Sequence, residues 1–95
     1  MITRIIKFRI APANTDVFKQ FIALIKKDFS TIKGCKNREI LNDKEDKDVY
    51  FMYTIWESEF KLNQYRKSEL NKTLWTKLNQ WSVKEPQAWT VENVF

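Results

Sequence analysis

The sequence predicts an α+β fold in which two helices cover one face of an antiparallel sheet. Two segments carry apolar residues at helical spacing, and four others are rich in β-branched and aromatic residues. Along the chain the order is strand, helix, strand, strand, helix, strand. The 95 residues contain no repeat or linker, so residues 1–95 are expected to form one domain.

The first strand is predicted over residues 2–10, where apolar and polar side chains alternate. The apolar set is Ile2, Ile6, Phe8 and Ile10, and the polar set is Thr3, Lys7 and Arg9. Ile5 interrupts the polar set. Pro12 then provides a turn, after which Asn14 or Thr15 is suited to cap a helix.

An apolar stripe defines the first helix and is expected to be its core face. The stripe consists of Phe18, Phe21, Ile22, Ile25, Phe29 and Ile32. Gly34, the only glycine of the chain, is expected to end this helix in the left-handed conformation.

The middle of the chain predicts a β-hairpin. Residues 35–43 form a plausible strand, residues 43–48 (DKEDKD) form a charged reversal, and residues 49–56 (VYFMYTIW) have the strongest strand composition. These two strands are expected to pair.

A second helix is predicted to start at Ser58 as its N-cap and to end before Pro86, with a break near Ser68–Asn71. Its apolar positions are Leu62, Tyr65, Leu70, Leu74, Leu78 and Trp81. Residues 88–95 (AWTVENVF) complete the chain as a fourth strand. The element order is that of the ferredoxin-like fold.

The third strand also predicts a homodimer. Its odd and its even positions are both largely apolar, whereas a sheet with one wet face should carry polar residues on that face. Two helices cover only one face, so the other face is expected to pack against the sheet of a second subunit to form a barrel. Four Trp and seven Phe are more bulk than a small core needs, which also indicates association.

Composition narrows the class of protein. The chain has no histidine, the commonest ligand of zinc and haem iron, and its single cysteine, Cys35, excludes an internal disulfide. The net charge of +5 is spread along the chain, which is typical of a solvated surface. No apolar run is long enough to cross a membrane and no signal peptide is recognisable, so a cytoplasmic protein is expected.

Three segments resemble the antibiotic-biosynthesis monooxygenase family of small dimeric α+β barrels. They are GCKNREIL after the first helix, the strand that ends YTIWES, and the helix that opens ESEFKLNQYRKS. The resemblance covers nearly the whole chain in element order. It implies oxidation of quinol-like or polyaromatic substrates by dioxygen without flavin or metal, and thus no cofactor.

The chain departs from the family at one position of interest. Members often have a histidine followed three residues later by a serine on the second helix, and here Tyr65 precedes Ser68. Haem-degrading branches also have an axial histidine further along that helix, where this chain has Trp75. A tyrosine is the only obvious substitute for such a ligand, so haem degradation is disfavoured.

The chemistry implied by the resemblance needs an apolar aromatic pocket with few polar groups. Tyr65 is the candidate catalytic residue, as a hydrogen-bond donor or proton shuttle. Candidate substrate-binding residues are Trp56, with Phe51 or Tyr53, for the walls, Ser68 for orientation, and Arg66 or Arg38 for stabilising negative charge.

Packing explains many of the same residues. Trp56 can be a core residue, Tyr65 can belong to the helix's apolar stripe, and Ser68 can mark the helix break. Trp75, Trp81 and Trp89 are assigned to core or interface, and Arg66 to a solvated helix face.

Two other functions remain open at the level of sequence. One is a non-enzymatic dimer that binds a small aromatic molecule. The other is RNA binding, because Phe51 and Tyr53 alternate as stacking aromatics do. The strand lacks the glycines of the RNA-recognition motif, so a nucleic-acid partner is disfavoured against a homodimer with a small aromatic substrate and dioxygen.

Overall fold

The computed structural model describes residues 1–95 and contains four β-strands and three α-helices. The strands are β1 (Ile2–Arg9), β2 (Cys35–Asn42), β3 (Val49–Trp56) and β4 (Gln87–Glu92). The helices are α1 (Thr15–Phe29), α2 (Glu59–Arg66) and α3 (Glu69–Trp81), and a short 3-10 helix (Pro12–Asn14) precedes α1. No helix combines the length and the apolar composition that a membrane span requires.

The strands form one antiparallel sheet in the order β2-β3-β1-β4. This is the ferredoxin-like α+β fold, so the predicted fold class is confirmed. The sheet has two sides, because successive side chains of a strand point in opposite directions. The helix-facing side carries the even positions of β1 and β3, which include Ile6, Phe8, Met52 and Trp56, and these four are at most 4% exposed.

The core lies between this side and the helices. It contains the buried residues of the predicted α1 stripe, Phe18, Ile25 and Phe29, and those of the second helical segment, Leu62, Tyr65, Leu74 and Leu78. We call the other face the open side. It carries eight apolar residues from all four strands, Ile5, Leu41, Val49, Phe51, Tyr53, Ile55, Trp89 and Val91, and of these only Val49 is buried.

The first helix is shorter than the sequence predicted. It ends at Phe29 rather than at Gly34, and the Thr31 hydroxyl donates to the carbonyl of Asp28 at 2.8 Å, a local bond that competes with further helix. Gly34 instead serves the turn into β2. It has a φ of 90°, and a Cβ at this position would lie 2.6 Å from the Cβ of Lys61, so α2 approaches the backbone there.

The predicted break in the second helix is confirmed. Ser58 caps α2 and Ser68 caps α3, and each hydroxyl oxygen accepts the backbone N–H three residues later at 3.2 Å. The predicted second helix is therefore divided into two helices, α2 and α3. The break places the carboxyl end of α2, and with it Tyr65, over the sheet.

Candidate functional site

The centre of the candidate site is an aromatic stack between β3 and α2. Trp56, the last residue of β3, is fully buried on the helix-facing side. The Tyr65 ring from α2 stacks on it, with ring centroids 5.0 Å apart and ring planes inclined by 26°. Phe29 of α1 contacts the Tyr65 ring at 5.1 Å between centroids. The structure thus brings together Trp56 and Tyr65.

Thr54 supplies the hydrogen-bond acceptor that the buried indole N–H of Trp56 requires. The indole N–H donates to the Thr54 hydroxyl at 2.9 Å, and that threonine is only 3% exposed. A buried N–H without a partner is costly, so Thr54 fixes the ring in place. The sequence hints at this role, because Thr54 is a polar residue at an even, core-facing position of β3.

The Tyr65 hydroxyl has no such partner. Tyr65 is 7% exposed, and its hydroxyl is buried without a hydrogen-bond partner. Buried tyrosine hydroxyls usually find one. Burial, followed by the nearby Cys35 sulfur, raises the pKa of the Tyr65 hydroxyl above its ordinary value. The phenol is therefore neutral at neutral pH and can donate a hydrogen bond to a ligand.

Ser68 lies at the edge of this site. Its hydroxyl oxygen is used as the N-cap of α3. Ser68 and Tyr65 both line an open depression of about 290 Å³ between the end of α1 and the break after α2, together with Ile32, Lys33, Lys61, Gln64 and Leu70. Ser68 thus has a structural role and also borders the depression.

Phe51 and Tyr53 are on the other side of the sheet. They occupy odd positions of β3 and pair with Leu41 and Glu39 of β2 on the open side. Because alternate residues of a strand point to opposite faces, Phe51 and Tyr53 do not share a pocket with Trp56 in one chain. The predicted grouping of these aromatics around Trp56 is therefore not formed within the subunit.

The two predicted arginines come from different elements. Arg38 is on the helix-facing side of β2, paired with Thr54, and Arg66 is exposed as the last residue of α2. Sequence reasoning missed a third, Arg4, which pairs with Thr54 from the other neighbouring strand. Arg4 could have been noticed in the sequence, because it is the one charged residue among the even, helix-facing positions of β1.

Cys35 is half-buried beside the stack, opposite Trp56 in the sheet register. Burial raises the pKa of its thiol, and the nearby Arg38 opposes that shift. The thiol donates only a long hydrogen bond, 3.5 Å, to the Asn37 carbonyl. A protonated thiol of this kind behaves as a small apolar group.

A four-stranded antiparallel sheet with helices on one face and an aromatic stack under α2 defines a small ferredoxin-like α+β protein. The sequence profile of the family described as "Antibiotic biosynthesis monooxygenase" matches residues 1–74. The chain belongs to the antibiotic biosynthesis monooxygenase family, and the resemblance noted in the sequence is confirmed. A comparison with curated proteins found no match.

Solved structures agree on the fold. An antibiotic biosynthesis monooxygenase matches with a TM-score of 0.90 at 15% identity over 100% of both chains. A conserved protein from Methanosarcina mazei Go1 matches with a TM-score of 0.90 at 18% identity, over 98% of this chain and 93% of that one. A protein from Bacteroides thetaiotaomicron described as a possible oxidoreductase gives 0.85 at 13% identity, over 97% and 96%. At these identities the likeness concerns the fold alone.

Proposed function

We propose that this protein is a cofactor-independent monooxygenase that oxidises a quinol-like or polyaromatic small molecule with dioxygen. The observation that carries the proposal is the Tyr65 ring stacked on Trp56 with a buried, unpartnered hydroxyl, in a chain of the monooxygenase family. The site offers an aromatic surface and one hydrogen-bond donor. An electron-rich aromatic substrate needs both.

The substrate supplies the electrons in this reaction. Loss of a proton gives a phenolate or carbanion, which passes an electron to dioxygen. For an anthrone, the CH₂ group becomes a carbonyl, one oxygen atom enters the product and the other leaves as water, so no external reductant is needed. The protein has to favour the anion, hold it and exclude water.

Tyr65 is assigned the role of a neutral hydrogen-bond donor. An ordinary tyrosine has a pKa near ~10 and is a poor base at neutral pH, and burial raises the pKa of Tyr65 further. Its hydroxyl can therefore donate to the substrate oxygen as negative charge develops there, or donate a proton to reduced oxygen. Proton removal then depends on a substrate that is already acidic.

Access to the stack involves a movement of Tyr65. In the free chain its ring covers Trp56, which is fully buried. The depression of about 290 Å³ lies directly beside Tyr65. In this proposal the Tyr65 ring rotates toward the depression, and the substrate ring stacks on Trp56 in its place.

The proposed active unit is a homodimer joined through the open side of the sheet. Leu41, Trp89 and Val91 are 45%, 44% and 43% exposed there, and Phe51 and Tyr53 extend the same face. An apolar surface that crosses four strands is larger than soluble monomers usually leave uncovered. A second copy of the sheet covers it.

The charges on the open side favour this partner over RNA. Lys7 and Glu39 carry opposite charges on that face, and the guanidinium of Arg9 is engaged by Asp46. Stacking aromatics are present, but no basic groove follows them, and phosphate backbones require one.

Oxygen consumption by the purified protein tests the proposed activity. The protein is treated with a chelator and assayed with a small panel of hydroquinones and anthrones. We expect uptake above the uncatalysed rate, with one atom of labelled dioxygen recovered in the anthrone product. If no substrate is consumed but the same compounds raise the melting temperature, the protein is a binding barrel and the proposal is overturned.

A further inference from the structure

A polar row crosses the helix-facing side of the sheet from edge to edge. The register pairs Arg38 with Thr54, Thr54 with Arg4, and Arg4 with Thr90. The adjacent row on the same side is entirely apolar and consists of Ile40, Met52, Ile6 and Ala88. Packing under helices favours apolar residues, so two arginines in one row need another explanation.

The arginines of this region have no acidic partner. The salt bridges of the structure are Arg9–Asp46, Lys36–Glu57 and Lys72–Glu69, so Arg4, Arg38 and Arg66 are not neutralised. Arg4 is half-buried, and it donates to the Thr90 hydroxyl at 2.8 Å, which supplies no charge.

Arg4 is also held near a like charge. Burial, and then the nearby Arg66, lower the pKa of Arg4 from its ordinary value. Cations that are partly removed from water and close to one another are unfavourable until an anion joins them. Arg4 and Arg38 flank Thr54, so their backbones lie about 10 Å apart at the usual spacing of strands. Each arginine side chain is long enough to reach a small ligand from its own side of Thr54.

The Tyr65 hydroxyl is a second, independent observation that points to a ligand here. It is buried and unpartnered, and Arg4 is near enough to act on its ionisation. A neutral phenol and two guanidinium groups are all hydrogen-bond donors. A carboxylate or an ionised hydroxyl supplies the acceptors, and arginine binds such groups in a bidentate manner.

We propose that Arg4 and Arg38, on either side of Thr54, bind the anionic oxygen of an aromatic ligand, a carboxylate or an ionised hydroxyl, with Tyr65 as a further donor. This inference deepens the proposed function and rests on it. It assigns to the substrate an acidic group attached to the aromatic ring. Two nearby guanidinium groups favour ionisation of that group, which compensates for the absence of a side-chain base.

A matched pair of probes tests the inference without dioxygen. Calorimetry under argon at low ionic strength compares 2-naphthoate with 2-naphthamide, which have the same ring system but differ in charge. We expect the carboxylate to bind at least about tenfold more tightly than the amide. Equal affinity, or no binding of the carboxylate, overturns the inference.

Variants locate the charge preference. The variants Arg4→Gln and Arg38→Gln should each abolish most of the preference for the carboxylate over the amide. Arg4→Lys should retain part of this preference, because lysine keeps the charge but not the bidentate geometry. Lys19→Gln is the control, since it removes one positive charge from the exposed surface of α1. A preference that survives in both glutamine variants contradicts the assignment, provided that circular dichroism shows them folded.

The two proposals fail in different ways. If the carboxylate preference is absent while oxygen uptake occurs equally with neutral and acidic substrates, the row is not the anion site and the monooxygenase proposal stands. If the preference is present and arginine-dependent but no substrate consumes oxygen, the anion site stands on a binding protein.

Discussion

The two sides of β3 are similar in sequence and different in surroundings. On the helix-facing side, Met52 and Trp56 are 4% and 0% exposed within one chain. On the open side, Phe51, Tyr53 and Ile55 are only partly covered, by neighbouring strands. Apolar composition thus identifies a surface that needs covering, while the topology decides whether the covering comes from the same chain.

The sides also differ in their polar residues. The helix-facing side places Thr54 and two arginines beneath helices, where unpaired polar groups are expensive. The open side is apolar at its centre and charged at its edge, as an interface commonly is. We therefore assign ligand chemistry to the first side and association to the second. Substitutions on the two sides test this division, and those with the strongest effects come first.

Truncation of Trp56 should have the largest effect. Trp56→Ala removes a fully buried ring, and such changes cost about 3–5 kcal/mol of the free energy of unfolding. Urea denaturation followed by circular dichroism measures the loss, which should be independent of protein concentration.

Trp89→Ala is the matched change on the open side, where the ring is 44% exposed. Its destabilisation should be smaller and should depend on protein concentration, because the proposed dimer would be weakened. If both variants lose the same free energy of unfolding, and neither loss depends on protein concentration, the assignment of association to the open side is contradicted.

A charge on the open side should separate the subunits. Phe51→Glu places a carboxylate in the centre of the proposed interface, and burying it unpaired should weaken association by at least about tenfold. Light scattering at micromolar concentration should give a dimer for the wild type and a monomer for the variant.

Thr73→Glu is the control for the charge, since Thr73 is exposed on α3, away from the open side. It should remain a dimer. If the wild-type protein is monomeric at micromolar concentration, the proposal of a homodimer is wrong.

Loss of the Thr54 hydroxyl should have an intermediate effect. Thr54→Val leaves the Trp56 indole N–H without its acceptor, and a buried unpaired donor costs about 1–3 kcal/mol. Thr3→Val on the open side is the control and should leave the free energy of unfolding unchanged or raise it. Urea denaturation measures the free energy of unfolding of both variants. An unchanged value for Thr54→Val would show that the hydrogen bond does not stabilise the fold.

The smallest effect concerns the edge of the open side. The Arg9 guanidinium, by its hydrogen bond, lowers the pKa of the Asp46 carboxyl. A carboxyl whose pKa is lower in the folded state stabilises the fold above its unfolded pKa, near ~3.9, and loses this contribution as the pH falls through the folded value.

Wild type should therefore lose slightly more stability than Asp46→Asn between neutral pH and acid, because the variant lacks this group. Melting temperatures across that range measure the difference. Identical pH dependence would show that the ion pair contributes nothing.

Periodicity was sufficient for most of the fold. The strand over residues 49–56 was predicted at its observed limits because its apolar run is bounded by charged residues. The break at Ser68 was predictable because a serine followed by polar residues favours a new N-cap. The end of α1 was misplaced, because the sequence does not show that Gly34 is needed for the close approach of Lys61.

The candidate site was only partly predictable. The family resemblance identified Trp56 and Tyr65, but the stack between them depends on packing of α2 over the sheet. The two faces of β3 have similar apolar content, so the sequence could not separate Phe51 from Trp56 by function. Arg4 could have been found by strict parity, because Ile6 and Phe8 share its side of β1 and are buried.

The Tyr65→Phe variant tests directly whether the aromatic stack carries chemistry rather than packing alone. The hydroxyl has no partner in the free protein, so its removal should leave the melting temperature unchanged or slightly higher. We predict that oxygen uptake with the best hydroquinone or anthrone falls at least about tenfold in the variant, while the fold is retained. Unchanged uptake in a stable Tyr65→Phe protein would contradict a chemical role for the stack and assign Tyr65 to the core.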